Sequence, residues 1–436
     1  MVSRLVLVVG AAFSLGVQTW GASGDTNLSF SLEAEFSYQY NTSDNSIAAL
    51  VGQIDPQLEV DFSTVVAGRL SGRIRLDQED RFLPGRPEFE NYEAISRPYA
   101  FNRGGVAELR DAYIDLRVPI GKLRLGKQQI VWGSLDGLKV LDVLNPQSFE
   151  EFILDDFEDS RIGLWSAYAD LSLLDWRFEF AYIPDTTTHY LPENGAYFAL
   201  SAPRFQFGIT QPSSVVAQSF VGSDDEDGTF AARLSRYLGG VDFQVVVVSG
   251  LDPEPLGRFA DGGSLPTLEL FHERRSLYGL ALEGSRGRLV MRAELSYSPD
   301  RLFNQRVSGE LASIKADQWR GAIGVDFSAP WGVFMNLQYL RDQLSSTPTD
   351  IVRPTTDEIL TVFLRKRFAY DTVTIDARWY NSLREGDDLL RLEFSYQFSD
   401  RGTIEAAVDQ FYGTERGIFG QFRDRDRVSL TLKYAF

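Results

Sequence analysis

The chain has 436 residues, 44% apolar and 13% aromatic, with 61 acidic against 43 basic residues, a formal net charge of −18 and no cysteine. That balance argues against nucleic-acid binding, and the lack of cysteine excludes disulfides and thiolate metal sites. No run of about 20 consecutive apolar residues occurs, which excludes helical membrane spans, so the apolar residues must be used in alternation.

Residues 1–23 carry Arg4, an apolar core over 5–17 and the small residues Gly21, Ala22 and Ser23. They read as a secretory signal peptide cut near Ser23, which leaves 24–436 as one domain. From Leu28 the residues Leu28, Phe30, Leu32, Ala34, Phe36, Tyr38 and Tyr40 alternate with Ser29, Ser31, Glu33, Glu35, Ser37 and Gln39. This is a strand with one oily and one wet face. The pattern returns around 176–182, 288–297 and 390–398. Such runs last about 9 to 13 residues, the length of a tilted membrane-crossing strand and longer than the usual 5 to 6 of a soluble sheet.

Strands are expected at 27–40, 50–62, 67–77, 107–119, 121–133, 161–173, 175–184, 227–238 and 240–250, and then at 274–285, 287–298, 317–328, 331–341, 357–369, 371–382, 388–399, 402–412 and 425–436. The division around 65–67 decides between an odd and an even count, so the range is sixteen to eighteen, with eighteen preferred. Short turns such as 118–121 and 238–240 take turns with long connections such as 78–106, 134–160, 185–226, 251–273 and 299–316. Short periplasmic turns and longer external loops are the habit of bacterial outer-membrane barrels. The expected fold is therefore all-β, a single antiparallel transmembrane β-barrel with both termini periplasmic, in the outer membrane of a Gram-negative bacterium.

Opposite the oily faces lie Arg117, Lys122, Arg124, Arg177, Arg233, Arg292, Arg378, Arg391 and Lys433, with Glu33, Glu35, Asp115, Glu179, Glu294, Asp376 and Glu393. An Arg or Lys facing lipid at mid-depth would cost about 2–4 kcal/mol, so these residues must line a wet lumen. Pairing between neighbouring strands is the simpler reading of this ladder, and solute selection the sharper one. The loop 134–160 contains Leu138, Val140, Leu141, Val143 and Leu144, which would not stay in water, so it is expected to fold into the barrel and narrow it. Arg124 and Gln128 of the wall, with Glu150, Glu151, Asp155 and Asp156 of the loop, are the candidate constriction. Gly126 is expected to leave space for the loop on the wall.

His189 and His272 are far apart and lack partners at metal-ligand spacing, so they read as solvated loop residues. No nucleophile elbow or phosphate loop occurs, and neither an enzyme nor a cofactor is expected. The acidic run Asp224, Asp225, Glu226 and Asp227 lacks the spacing of a calcium loop. In 185–226, Tyr190, Tyr197, Phe198, Phe205, Phe207 and Phe220 are expected to form a self-packed loop core, or else to meet an apolar solute. The chain ends with Val428, Leu430, Leu432, Tyr434 and Phe436 in alternation. This is similar to the terminal strand by which bacterial outer-membrane proteins engage the barrel-assembly machinery, with Tyr434 and Phe436 as its signal.

The run L-R-L-G-K-Q-Q-I-V-W-G, with D-V-L-N-P and F-I-L-D-D-F-E-D-S-R-I after it, resembles a family of proteobacterial outer-membrane barrels known only as a domain of unknown function. The match is strong over about 40 residues, 123–162, and the chain is more distantly similar to alginate-export porins. The resemblance implies a barrel whose relatives are suspected of moving amphiphilic or lipid-like compounds. It carries over no catalytic residue. The mixed lumen lacks the dense arginine lining that would hold a polyanion such as alginate.

The expectation is a channel for a small or amphiphilic solute, set in outer-membrane lipid and lipopolysaccharide, with a periplasmic or inner-membrane partner if it exports. A non-conducting barrel acting in binding, adhesion or envelope structure is the alternative. An outer-membrane hydrolase with an Asp or Glu site is the third, disfavoured by the sparse His and the missing nucleophile motif.

Overall fold

An alternating strand has an oily face that must meet an apolar medium. In the computed structural model, which describes residues 26–208, 217–220, 227–260, 267–307, 310–345 and 350–436, those faces turn outward. In chain order the strands are β1 (Asn27–Asn41), β2 (Ser46–Asp61), β3 (Val66–Asp77), the short β4 (Tyr99–Asn102), β5 (Gly105–Val118), β6 (Gly121–Gln128), β7 (Leu164–Leu173), β8 (Trp176–Ile183), the short β9 (Ala217–Phe220), β10 (Thr229–Leu238) and β11 (Val241–Leu251). There follow the short β12 (Leu256–Phe259) and β13 (Thr267–Phe271), then β14 (Arg274–Arg286), β15 (Leu289–Val307), β16 (Glu310–Ser328), β17 (Val333–Ser345), β18 (Thr356–Phe368), β19 (Val373–Ser382), β20 (Asp387–Ser399), β21 (Gly402–Tyr412) and β22 (Arg427–Ala435). Short β4 pairs with β5, while β9, β12 and β13 form a separate three-stranded sheet.

The other eighteen strands each pair antiparallel with the next, and residues 33–41 of β1 pair with 427–435 of β22 to close the ring. Closure leaves no sheet edge, the condition for placing backbone in hydrocarbon. Register then fixes the faces, because directly opposed residues share one. Asp115 opposes Arg124, Glu179 opposes Arg233 and Glu35 opposes Lys433. Arg117, Lys122, Arg177, Arg292, Arg378 and Arg391 fall on the same lumen face by the same registers. Outside, Leu70, Ile114, Phe180, Leu280, Ile323 and Leu392 are exposed and form part of an apolar belt.

The even count and the division near 65–67 hold: the Phe62 and Ser63 N–H groups both donate to Val66 O and make a turn there. The expected connections 78–106 and 185–226 carry the short β4 and β9, β2 begins at Ser46, and other boundaries differ as well. The strand expected over 121–133 ends at Gln128 and the one expected over 161–173 begins at Leu164, so 129–163 leave the wall. Residues 299–316 are not all loop, since β15 and β16 extend for 19 residues each. A bulge between Ser298 and Arg301 shifts the phase there, and a period-2 reading stops at such a slip. The segment 251–273, expected as plain loop, carries β12 and β13. The signal segment 1–23 and Asp224, Asp225 and Glu226 lie outside the described residues.

Two substitutions on β20 check the sidedness. Leu392→Arg, on the belt, is expected to destabilise the barrel refolded in lipid vesicles by about 2–4 kcal/mol, whereas Ser395→Arg, on the lumen face between Thr374 and Glu405, should cost about 1 kcal/mol or less. Denaturant titration of both proteins gives the difference.

Candidate functional site

The wall opens into the loop where one amide takes over the pairing. Asn145 Oδ1 accepts the Ile130 N–H at 2.7 Å, and its Nδ2 donates to Ile162 O at 2.8 Å, tying the end of β6 to the start of β7. Gln147 Nε2 donates to the carbonyls of Asn145 and Pro146 at 3.1 and 3.3 Å, while Ser160 Oγ donates to Gln147 Oε1 at 3.1 Å. Arg161 holds Asp142 through Nε and Nη2 at 3.0 and 2.8 Å. The signature read in the sequence is therefore largely a staple at the base of this loop. Lys127 Nζ donates to Ser96 O at 3.3 Å, and Gln129 Nε2 to Glu158 O at 3.0 Å. Trp132 lies under the Arg233 guanidinium, 5.4 Å from its ring centroid. Gly126 has φ +130°, and a Cβ there would stand 2.1 Å from Ala112 O, so the glycine serves a close strand approach and does not make room for the loop.

Beyond the staple, the first half of the loop crosses to one arc of wall. Trp132, Leu138, Val140, Leu141 and Leu144 pack on the lumen faces of β8, β10, β11, β14, β16 and β17, through Ala181, Ile183, Ala231, Val246, Leu277, Ala322 and Leu340. Burying each of the larger side chains contributes about 1.5–3 kcal/mol. Gly279 makes the room, because a Cβ there would lie 2.4 Å from Leu141 Cδ2. Glu294 of β15 accepts the Ser134 and Leu141 N–H groups at 2.6 and 3.1 Å and the Ser134 hydroxyl at 3.0 Å, satisfying loop backbone inside the barrel.

The second half reaches the opposite arc and is held differently. Glu150 accepts from Arg75 Nη1 of β3 at 2.8 Å. Glu151 accepts from Arg75 Nη2, from Arg427 Nη1 of β22 at 2.9 Å and from Gln39 Nε2 of β1 at 3.4 Å. Arg391 of β20 donates to Leu154 O at 2.8 Å, and Arg73 pairs with Asp159 at the single helical turn α1 (Phe157–Ser160). Between these ion pairs Phe152 and Leu154 enter an aromatic cluster with Phe198, Phe411, Phe419 and Phe422, Phe152 lying 4.7 Å from Phe422 centroid to centroid. The loop thus spans the lumen, apolar at one end and ionic at the other.

Of the expected constriction residues, Glu150 and Glu151 come together with wall arginines, and Asp155 lies within their electrostatic reach. Asp156 is exposed and stands apart from these pairs. Arg124 is engaged elsewhere: it holds Asp115 bidentately at 2.6 and 2.8 Å and lies 3.7 Å from the Tyr113 ring centroid. Gln128 is buried and donates to Ser166 O at 3.3 Å. The wall arginines that pair with the loop carboxylates are Arg73, Arg75 and Arg427, absent from the set read in the sequence, whereas Glu294 and Arg391, which belong to it, bind loop backbone. The spacing R-I-R in β3 and the run D-R-D-R before the last strand carried the signal. The ladder residues are paired too: Arg177 with Asp170 at 2.8 Å and Arg292 with Asp326 across strands, Arg378 with Asp376 at 3.8 Å along β19, and Arg391 with Glu393 at 3.2 Å along β20 and with Asp409 of β21 at 3.7 Å. Arg117 donates to Thr64 O at 3.0 Å, and Lys122 stands opposite Asp170.

The histidines are not solvated as expected. His189 Nδ1 accepts the Gln147 N–H at 2.8 Å, and burial lowers its pKa to about 3, the neutral state such acceptance needs. His272 is buried with Nδ1 2.8 Å from Asp252 O. Among the described residues no three His, Asp or Glu side chains are grouped to hold a metal. Tyr190, Tyr197, Phe198 and Phe207 are buried in loop cores, the self-packed arrangement, and the Phe220 side chain lies outside the described residues.

Burial pushes Glu150 up to about 7, with Arg75 opposing. Asp155 is raised by burial and by the Glu151 charge. For Glu151 burial acts upward too, but Arg75 and Arg427 outweigh it and hold the carboxyl below its usual range. The docked loop therefore binds more protons than a released one, in which Glu150 and Asp155 would return toward ordinary carboxylate values. Docking weakens as pH rises toward about 7, where Glu150 and Asp155 ionise, and weakens again in strong acid, where a released Glu151 takes up a proton that the docked one does not. The hydrogen-exchange protection factors of the loop amides, corrected for the intrinsic base-catalysed rise in exchange rate, should fall severalfold between about pH 5 and pH 8. In a second test, Asn145→Ala orphans the Ile130 N–H and the Ile162 carbonyl and should cost about 2–4 kcal/mol, read as a lowered unfolding midpoint.

The fold is also that of solved bacterial barrels. OccK11 (OpdR) of Pseudomonas aeruginosa matches with a TM-score of 0.51 at 12% identity, over 94% of this chain and 96% of that one. OmpF of Salmonella typhi, solved in complex with daunomycin, matches with a TM-score of 0.44 at 10% identity, over 94% and 98%. A loop-deleted OmpT of Vibrio cholerae gives 0.42 at 12% identity, over 95% and 100%. At 12% identity the likeness to OccK11 (OpdR) is one of fold alone. No curated protein matches the chain. A closed barrel with an apolar belt and a charged lumen is an outer-membrane protein. The model of the family described as "Protein of unknown function (DUF1302)" matches residues 72–318, which run from β3 through the lumen-crossing loop into β16 and make up more than half of the chain; the chain belongs to that family.

Proposed function

We propose that the protein is a plugged outer-membrane channel that moves a small or amphiphilic solute. The observation that carries this reading is the loop 129–163, which crosses a charge-lined lumen and is held on one side by ion pairs of Arg75 and Arg427 with Glu150 and Glu151. A structural filler needs only the apolar half. Ion pairs answer to pH, salt and competing ions, so they make the closure conditional. The termini and short turns then face the periplasm. Tyr434 and Phe436, whose rings lie 4.9 Å apart, complete the strand offered to the barrel-assembly machinery, and lipopolysaccharide surrounds the external loops.

One observation favours a non-conducting binding or structural barrel instead: Phe82, Phe198, Phe419 and Phe422 of the external loops pack into one core with the plug. Planar-bilayer conductance decides. The intact protein is expected to conduct weakly, and the variant lacking 138–157 at least tenfold more, given a lumen of this strand number. A folded deletion variant that does not conduct would overturn the channel reading in favour of the other.

A further inference from the structure

The ionic anchorage resembles a bound ligand more than a hinge. Glu151 places one carboxylate between two wall guanidiniums, Arg75 and Arg427. The next residue, Phe152, places its ring in the aromatic cluster, 4.7 Å from Phe422 and 6.1 Å from Phe419. The two subsites are continuous, because the Arg427 guanidinium also lies 5.3 Å from the Phe198 ring centroid, and Phe198 stands 5.4 Å from Phe422. To fill both at once the loop holds Phe152 at φ +58°, a left-handed conformation unfavourable for a bulky side chain. Arg75 has its ion pairs with Glu150 and Glu151 alone among the described pairs, so withdrawal of the loop would leave its guanidinium without a counter-ion on the lumen wall.

We propose that Glu151 and Phe152 are a tethered occupant of a wall site for small carboxylates bearing an apolar ring or short chain, and that such a solute frees the loop by taking their place. The proposal rests on the channel reading and names its solute class. The planar carboxylate suits paired guanidinium donors, and the ring or chain suits the phenylalanine cluster. A free solute carries none of the backbone strain of Phe152, which favours it over the tether, while tethering gives the loop the advantage of high effective concentration. The balance makes opening depend on solute concentration. Partition of hydrocarbon alone, or of acetate alone, satisfies one subsite and leaves the other to the loop.

The test is conductance of the full-length protein in a planar bilayer with 3-phenylpropanoate at about 10 mM, beside 3-phenylpropan-1-ol and acetate at the same concentration. The acid is expected to raise conductance severalfold while the alcohol and acetate leave it near the starting level. E151Q, which leaves the wall arginines in place, is expected to raise basal conductance and to lower the acid concentration for half effect about tenfold, the loss of one charged hydrogen-bond arrangement. An equal response to the alcohol, or no response to the acid in either protein while the 138–157 deletion conducts, would overturn this proposal and leave the channel reading standing. A deletion variant that fails to conduct would remove both.

Discussion

Peptide groups in hydrocarbon find no water, and an unpaired one costs several kcal/mol, so a sheet that spans a membrane must close. In this protein the requirement is met at the seam, where β1 pairs with β22. Most other features depend on that closure. Eighteen strands enclose more space than their own inward side chains can fill. Something else must occupy the lumen, either water or a returning segment of chain. Such a segment brings its own peptide groups into a partly dry interior, and these need partners in turn. Asn145, Gln147, Glu294 and Arg391 supply them, which is why polar side chains of the wall and of the loop base are aimed at loop backbone.

The two anchorages of the loop obey different physics. The apolar half is held by area removed from water, which salt and pH barely alter. The ionic half is held by buried charge pairs, whose net contribution is small while both partners are present and strongly unfavourable when one is removed. A loop fixed by such unlike contacts has a permanent end and a conditional one.

Alternation in the sequence made the wall readable because period 2 is itself the geometry of a strand. Counting alone places Glu35, Arg124, Arg233 and Lys433 on the lumen face. Counting assigns a face but not a partner. Charge and nearness to the signature group Arg124 with the loop acids, whereas the register delivers Arg124 to Asp115, its directly opposed neighbour. Arg75 and Arg427 lie 352 positions apart in the chain, and only the closed ring brings them to one carboxylate. Likewise nothing local told that β15 continues beyond Ser298, since the bulge there breaks the period on which the reading relied. The histidines differ for a related reason: loop position suggests exposure, but these loops are packed into a core.

The ladder bears on where selectivity resides. Along the wall, Arg177, Arg233, Arg292 and Arg365 each sit against a carboxylate of a neighbouring strand, Asp170, Glu179, Asp326 and Asp376. Paired in this way they brace the strands and present little net field to a passing solute. A charge discriminates only where its partner can leave. The strands cannot slide past one another without breaking the hydrogen-bond register, so wall-to-wall pairs stay engaged. Wall-to-loop pairs are under no such constraint. Arg75, whose ion pairs are with Glu150 and Glu151 alone among the described pairs, is therefore the charge that loop withdrawal would free, whereas Arg427 keeps a wall partner in Asp409 at 2.8 Å.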